Sequence, residues 1–133
     1  MGQTILRLTP VIIIMGVIFF LSHQPGELFT PYDFRWADKL AHLTVYAALC
    51  ATVIYAFPDR YRRSAKGMVI GVSIVLCLVY GLSDEFHQSF IPGRDPSMSD
   101  VAADVIGASL ACMLWLWWEK SEHTDRLRKR SVK

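Results

Sequence analysis

The stretch GMVIGVSIVLCLVYGL, Gly67 to Leu82, carries no charged residue on any face. A helix in a soluble bundle keeps a polar stripe for water, whereas a helix that is apolar all round is buried or lies in lipid. Three further apolar runs of similar length flank it, about Ile5 to Leu21, Leu40 to Phe57 and Val101 to Trp118. Spanning a bilayer takes roughly 20 residues, so each helix is expected to continue into its polar flanks. The spans then cover about 5–22, 38–57, 67–88 and 99–118. The expected fold is an all-α integral membrane bundle of four transmembrane helices in a single domain, 1–133, with 119–133 as a basic cytoplasmic tail.

Composition fits that architecture. Of 133 residues, 53% are hydrophobic and 20% charged, with a mean hydropathy of +0.30. The charge comes in clusters between apolar runs, as membrane loops do. A net charge of +2 gives no support to a nucleic-acid partner. The cysteines Cys50, Cys77 and Cys112 each fall inside an apolar run, match no zinc spacing, and read as small buried hydrophobes. The first run resembles a signal peptide in having Arg7 ahead of it, but Ser22-His23-Gln24-Pro25 offers no small-x-small cleavage site, so retention is expected.

Lys and Arg counted loop by loop orient the chain. Arg60, Arg62, Arg63 and Lys66 lie between the second and third spans, and Lys120, Arg126, Arg128, Lys129, Arg130 and Lys133 lie in the tail. The loop between the third and fourth spans holds only Arg94. Both termini are therefore expected in the cytoplasm of a bacterial-type cytoplasmic membrane. Trp115, Trp117 and Trp118 would mark the inner interface, and Phe29, Tyr32, Phe34 and Trp36 the outer one. Gly67 and Gly71 form a GxxxG, and Ala103, Gly107 and Ala111 place a small residue at every fourth position. Small residues let helices approach closely in lipid, within one chain or across a homodimer.

The remaining polar residues gather at one end. Asp38, His42 and Tyr46 step by four, so they line one helix face descending into the membrane, with Lys39 beside them. Asp84 or Glu85 shares a face with Gln88, and Asp100 with Asp104. All these ends meet on the outer side of the expected topology, where Arg94 sits among turn formers. Ionisable groups at membrane depth are costly and usually face a bundle interior or a wet cavity. Solvated helix ends are the plainer reading for Asp38, Lys39, Asp84 and Asp100. Asp38 and Asp100 also suit helix N-caps. His23 and His87 read as interfacial histidines.

Three segments carry a resemblance. They are Asp38-Lys39-x-x-His42-x-x-x-Tyr46, then Ser83-Asp84-Glu85-x-x-Gln88-Ser89-Phe90-Ile91-Pro92-Gly93-Arg94, then Ser97-x-x-Asp100-Val101-x-Ala103-Asp104-x-x-Gly107. In order and spacing they look like the VanZ-like membrane proteins, as does Ser22-x-Gln24-Pro25. Asp104 departs from the family pattern, which often has Asn there. The family takes its name from a protein associated with low-level teicoplanin resistance, so the resemblance implies an envelope phenotype rather than a reaction.

Three mechanisms fit these residues. In the preferred one, a membrane hydrolase or transferase grips an anionic lipid headgroup or lipid-linked precursor with Arg94 and Lys39. Gln88, Asp38, Tyr46 and Asp100 would line that binding site. His42 and Glu85 serve as acid and base, with Asp84 and Asp104 beside them as catalytic candidates. In the second, the same pocket binds lipid without turnover, as an accessory protein would. In the third, the buried carboxylates and histidine carry protons or ions. No cofactor is expected. Asp84, Glu85, Asp100 and Asp104 admit a divalent cation, but no compact ligand motif requires one, and Lys39 and Arg94 can neutralise the carboxylates instead.

Overall fold

The computed structural model describes residues 2–26 and 35–131. They form five helices: α1 (Gly2–Ser22), α2 (Arg35–Ala56), α3 (Asp59–Ser64), α4 (Lys66–Gln88) and α5 (Met98–Ser131). Four of them, α1, α2, α4 and α5, are long and apolar enough to cross a membrane. All four run past the apolar segments into polar sequence. The expected loop between the second and third spans contains a helix of its own, α3, which starts directly after Pro58. The tail expected at 119–133 is helical through Ser131 as a continuation of α5. At 1.5 Å per residue, the 34 residues of α5 reach about 50 Å, well beyond a hydrocarbon core of about 30 Å.

α2 and α5 form the central pair, with α1 against α2 and α4 against both. Gly107 is what allows the central contact: a Cβ there would lie 2.1 Å from the Leu43 carbonyl oxygen. Ala103 and Ala111, on the same stripe, are buried with it. The GxxxG behaves differently. Gly67 and Gly71 are exposed, and a Cβ on either would meet nothing within 4 Å. One small-residue pattern packs the bundle, and the other lies on its surface.

The core holds Tyr46, Leu49, Cys50, Val69, Cys77 and Ala108. Cys50 and Cys112 meet, their sulfurs 3.5 Å apart, and all three cysteines are free thiols in the core. The outside is equally apolar: Ile12, Phe20, Tyr55, Val75, Val79, Leu110 and Met113 all face outward. An exposed apolar girdle this extensive is incompatible with water and matches lipid. Trp117 and Trp118 are exposed, and Trp115 packs against the core. Trp36 is exposed at the opposite end, while Phe29, Tyr32, Phe34 and Lys133 lie outside the described residues.

The two ends of the bundle differ in charge. At one, Arg7 donates to the Phe57 carbonyl at 2.8 Å and to Asp59 Oδ1 at 3.0 Å, Arg62 pairs with the same carboxylate, and Lys66 pairs with Glu119. Arg62 and Arg7 hold the exposed Asp59 carboxyl below the usual carboxylate range. The end of α1, the start of α2, the end of α4 and the start of α5 meet at the other, where the polar constellation lies.

Candidate functional site

α2 supplies one wall of the site. Its four-residue step takes Asp38 from the exposed rim to His42, 8% exposed, and to Tyr46, fully buried. The His42 and Tyr46 rings stack at 8° with centroids 6.2 Å apart. The Tyr46 hydroxyl has no hydrogen-bond partner among the described residues.

α5 meets this wall through Asp104 and Asp100. Asp104 is fully buried, and its Oδ1 lies 3.0 Å from His42 Nδ1. An ionised carboxylate only accepts, so Nδ1 carries the proton and Nε2 is left facing away from Asp104. Space for the second Asp104 oxygen comes from Gly81 on α4, where a Cβ would sit 2.6 Å from Oδ2. Asp100 does not cap α5. Ser97 does, its hydroxyl accepting the Ser99 N–H at 3.2 Å. The Asp100 carboxylate instead receives Lys39 Nζ at 2.6 Å, and Lys39 also reaches the Ser99 hydroxyl.

α4 brings Asp84, Glu85 and Gln88, all three at least 94% buried. Asp84 is the one that shares a face with Gln88, accepting from its Nε2 at 3.1 Å, and Gln88 reaches on to the Ser22 hydroxyl. Glu85, one residue further round, turns to α2 and α5. Its Oε2 accepts the Ser97 N–H at 2.7 Å, and its Oε1 stands 3.9 Å from His42 Nε2 with no hydrogen-bond partner.

Arg94 follows a turn in which Gly93 takes φ 74°, a left-handed conformation suited to glycine. Its guanidinium donates to the carbonyls of Gln24 at 3.2 Å and Leu21 at 3.0 Å and lies 3.8 Å from Asp38 Oδ1. It ties the loop before α5 to the end of α1. The Gly26 N–H to Pro92 carbonyl bond reinforces the same junction. Nearby, His23 and His87 lie 3.3 Å apart and stack, so these two histidines pair with each other.

These elements border an open-sided cavity of about 1130 Å³ lined by His42, Tyr46, Asp84, Gln88, Lys39, Arg94 and Asp100, with Ile18, Leu21, Val45 and Trp36 as an apolar side. Every site residue expected from the sequence lies in or directly beside it. Three contributors were given no role there: Ser97, quoted only within a motif, Ser99, and the Leu21 and Gln24 carbonyls at and just past the end of α1. Their signal was proximity to a helix end, the start of α5 or the end of α1, which does not say what they bind.

A family model matches residues 8–119, from α1 through α5 and across the whole site. The chain belongs to the VanZ/LLP1 family. An uncharacterized protein of Schizosaccharomyces pombe is 32% identical to this VanZ/LLP1 chain over 84 residues, 62% of the chain and 49% of that protein. The chain thus spans about half the length of the curated relative it matches. No solved structure matches.

Proposed function

We propose that this VanZ/LLP1 protein receives the anionic headgroup of a membrane lipid or lipid-linked precursor in the cavity, and acts on it as a hydrolase or transferase. The observation that carries this reading is the amphipathic cavity with His42 on its wall. Asp104 orients the ring through Nδ1, and Nε2 is directed toward Glu85. A lipid has an apolar part for the side formed by Ile18, Leu21 and Val45, and a charged part for Lys39 and the polar wall. A histidine held in one tautomer by a carboxylate is the usual arrangement for moving a proton during acyl or phosphoryl transfer.

The non-catalytic reading has one observation in its favour. Lys39 and Arg94 already bind partners within the protein, so a ligand must share them rather than find them free. Incubation of purified protein with envelope lipids and polyprenyl phosphates, read by mass spectrometry, separates the two. Conversion that disappears in His42→Ala supports catalysis. Lipid that co-purifies unchanged supports binding alone.

The same proposal places the cavity on the extracytoplasmic side of the cytoplasmic membrane, with both termini inside, on the strength of the Lys and Arg distribution. It makes altered glycopeptide susceptibility a downstream effect on the envelope. Membrane-impermeant thiol labelling of intact cells should reach Asp95→Cys and not Arg63→Cys. The reverse pattern would invert the topology.

A further inference from the structure

We propose that His42 Nε2, Glu85 Oε1 and the Asp84 carboxylate form a binding site for one divalent transition ion of the Zn2+ or Mn2+ class. The three residues bring one ligand atom each to within 4.8 Å of one another, and all three are buried. The 3.9 Å between Nε2 and Oε1 is too long for a hydrogen bond. It is a separation that two ligands of a single ion take, since bonds of roughly 2.0–2.2 Å place such atoms up to about 4.3 Å apart.

The surroundings of the three ligands agree with this. His42 Nδ1 is bonded to Asp104, Glu85 Oε2 accepts the Ser97 N–H, and the Asp84 carboxylate accepts from Gln88 through Oδ2. Glu85 Oε1 is buried with no hydrogen-bond partner among the described residues and stands 3.9 Å from His42 Nε2. A carboxylate on the far nitrogen of a ligating imidazole is the standard outer support of such sites, fixing tautomer and ring orientation. Three carboxylates buried around one imidazole also concentrate negative charge where the surroundings screen it poorly, and a cation between them offsets it.

Asp38, His42 and Asp100 form a second grouping with ligand-like spacing, but Asp100 Oδ1 already holds the Lys39 ammonium at 2.6 Å, which repels an ion there. One imidazole nitrogen with carboxylate oxygens suits zinc or manganese better than the all-oxygen preference of calcium. His42 and Asp84 line the cavity, so the remaining coordination positions open onto it. The site is a matter of ion binding and stands whether or not lipid is converted. It changes the role of His42 in the preceding proposal from proton acceptor to ligand.

The test uses full-length protein carrying no histidine tag, equilibrated with Zn2+ or Mn2+ alone, desalted, and assayed for metal by mass spectrometry. About one ion per chain is expected. His42→Ala and Glu85→Gln should each lower affinity at least tenfold, while Lys66→Ala at the opposite end leaves it unchanged. Circular dichroism checks that each variant stays helical. X-ray absorption of the zinc-loaded unaltered protein decides the ligands independently of any variant. Imidazole with oxygen supports the site, whereas a sulfur shell moves the ion to the cysteines and overturns it. Absence of uptake, or uptake indifferent to both substitutions, overturns it too. Lipid conversion by protein that takes up no ion would sink this inference and leave the preceding one standing. A bound ion without lipid conversion would do the opposite.

Discussion

The two ends of the bundle carry similar numbers of ionic contacts and use them differently. At the end formed by Arg7, Asp59, Arg62, Lys66 and Glu119, the charges lie at the surface, with the Asp59 side chain 53% exposed. At the cavity end, Asp84, Glu85, Asp100 and Asp104 are buried among polar partners drawn from four helices. Exposed pairs are worth little and are easily replaced by water. Buried ones must be arranged in advance, because each costs several kcal/mol if its partners fail. The first end is thus a set of surface pairs, and the second a buried polar network arranged before any ligand arrives.

Substitutions that remove the imbalance between the ends should have effects in the same order. The largest is expected for His42→Ala, with lipid conversion falling on the order of 100-fold or more. Arg7→Ala should leave the rate unchanged when the two are assayed side by side. Next comes Lys39→Met, which strands the Asp100 carboxylate, 5% exposed, without its ammonium. A loss of about 1–3 kcal/mol in unfolding titrations is expected, largely recovered by adding Asp100→Asn. Equal losses from Lys66→Ala at the other end would break the distinction. That substitution should cost under about 1 kcal/mol in the same titration.

The smallest effect belongs to Asp59. Its carboxyl lies below the usual range because of Arg62 and Arg7, so its contribution is fully present above about pH 4 and is lost as pH falls through the lowered native value. Hydrogen exchange in α3 should quicken over that acidic window, and Asp59→Asn should remove the dependence. A shift of the window to higher pH would contradict the stated sign.

Much of the site was legible because helices repeat. Asp38, His42 and Tyr46 on one face, and Asp100 above Asp104, follow from a four-residue step alone. The choice between Asp84 and Glu85 as the neighbour of Gln88 did not. Adjacent helical residues point about 100° apart, and only the packing of α4 against α2 and α5 decides which direction meets which partner. Pairings across more than 60 residues, such as Lys39 with Asp100 or Arg94 with the Gln24 and Leu21 carbonyls, have no local signature. Arg94 reads from sequence as a phosphate-gripping cation, yet its guanidinium donates to main-chain oxygens. The open GxxxG shows the same limit: spacing says a helix face is flat, not what lies against it. α3 escaped because six mostly charged residues between two apolar spans carry no period long enough to read.

Gly107 lies one turn of α5 beyond Asp104, and Leu43 directly follows His42. The contact that brings these two helices together is backbone on backbone, with no side chain between to flex or change rotamer. The gap between imidazole and carboxylate is consequently gauged by the main chain itself. Swelling or thinning of the surrounding bilayer can tilt α1 or shift the outer helices while this gauge keeps its setting. A reaction centre mounted on it would hold its geometry in membranes of differing thickness.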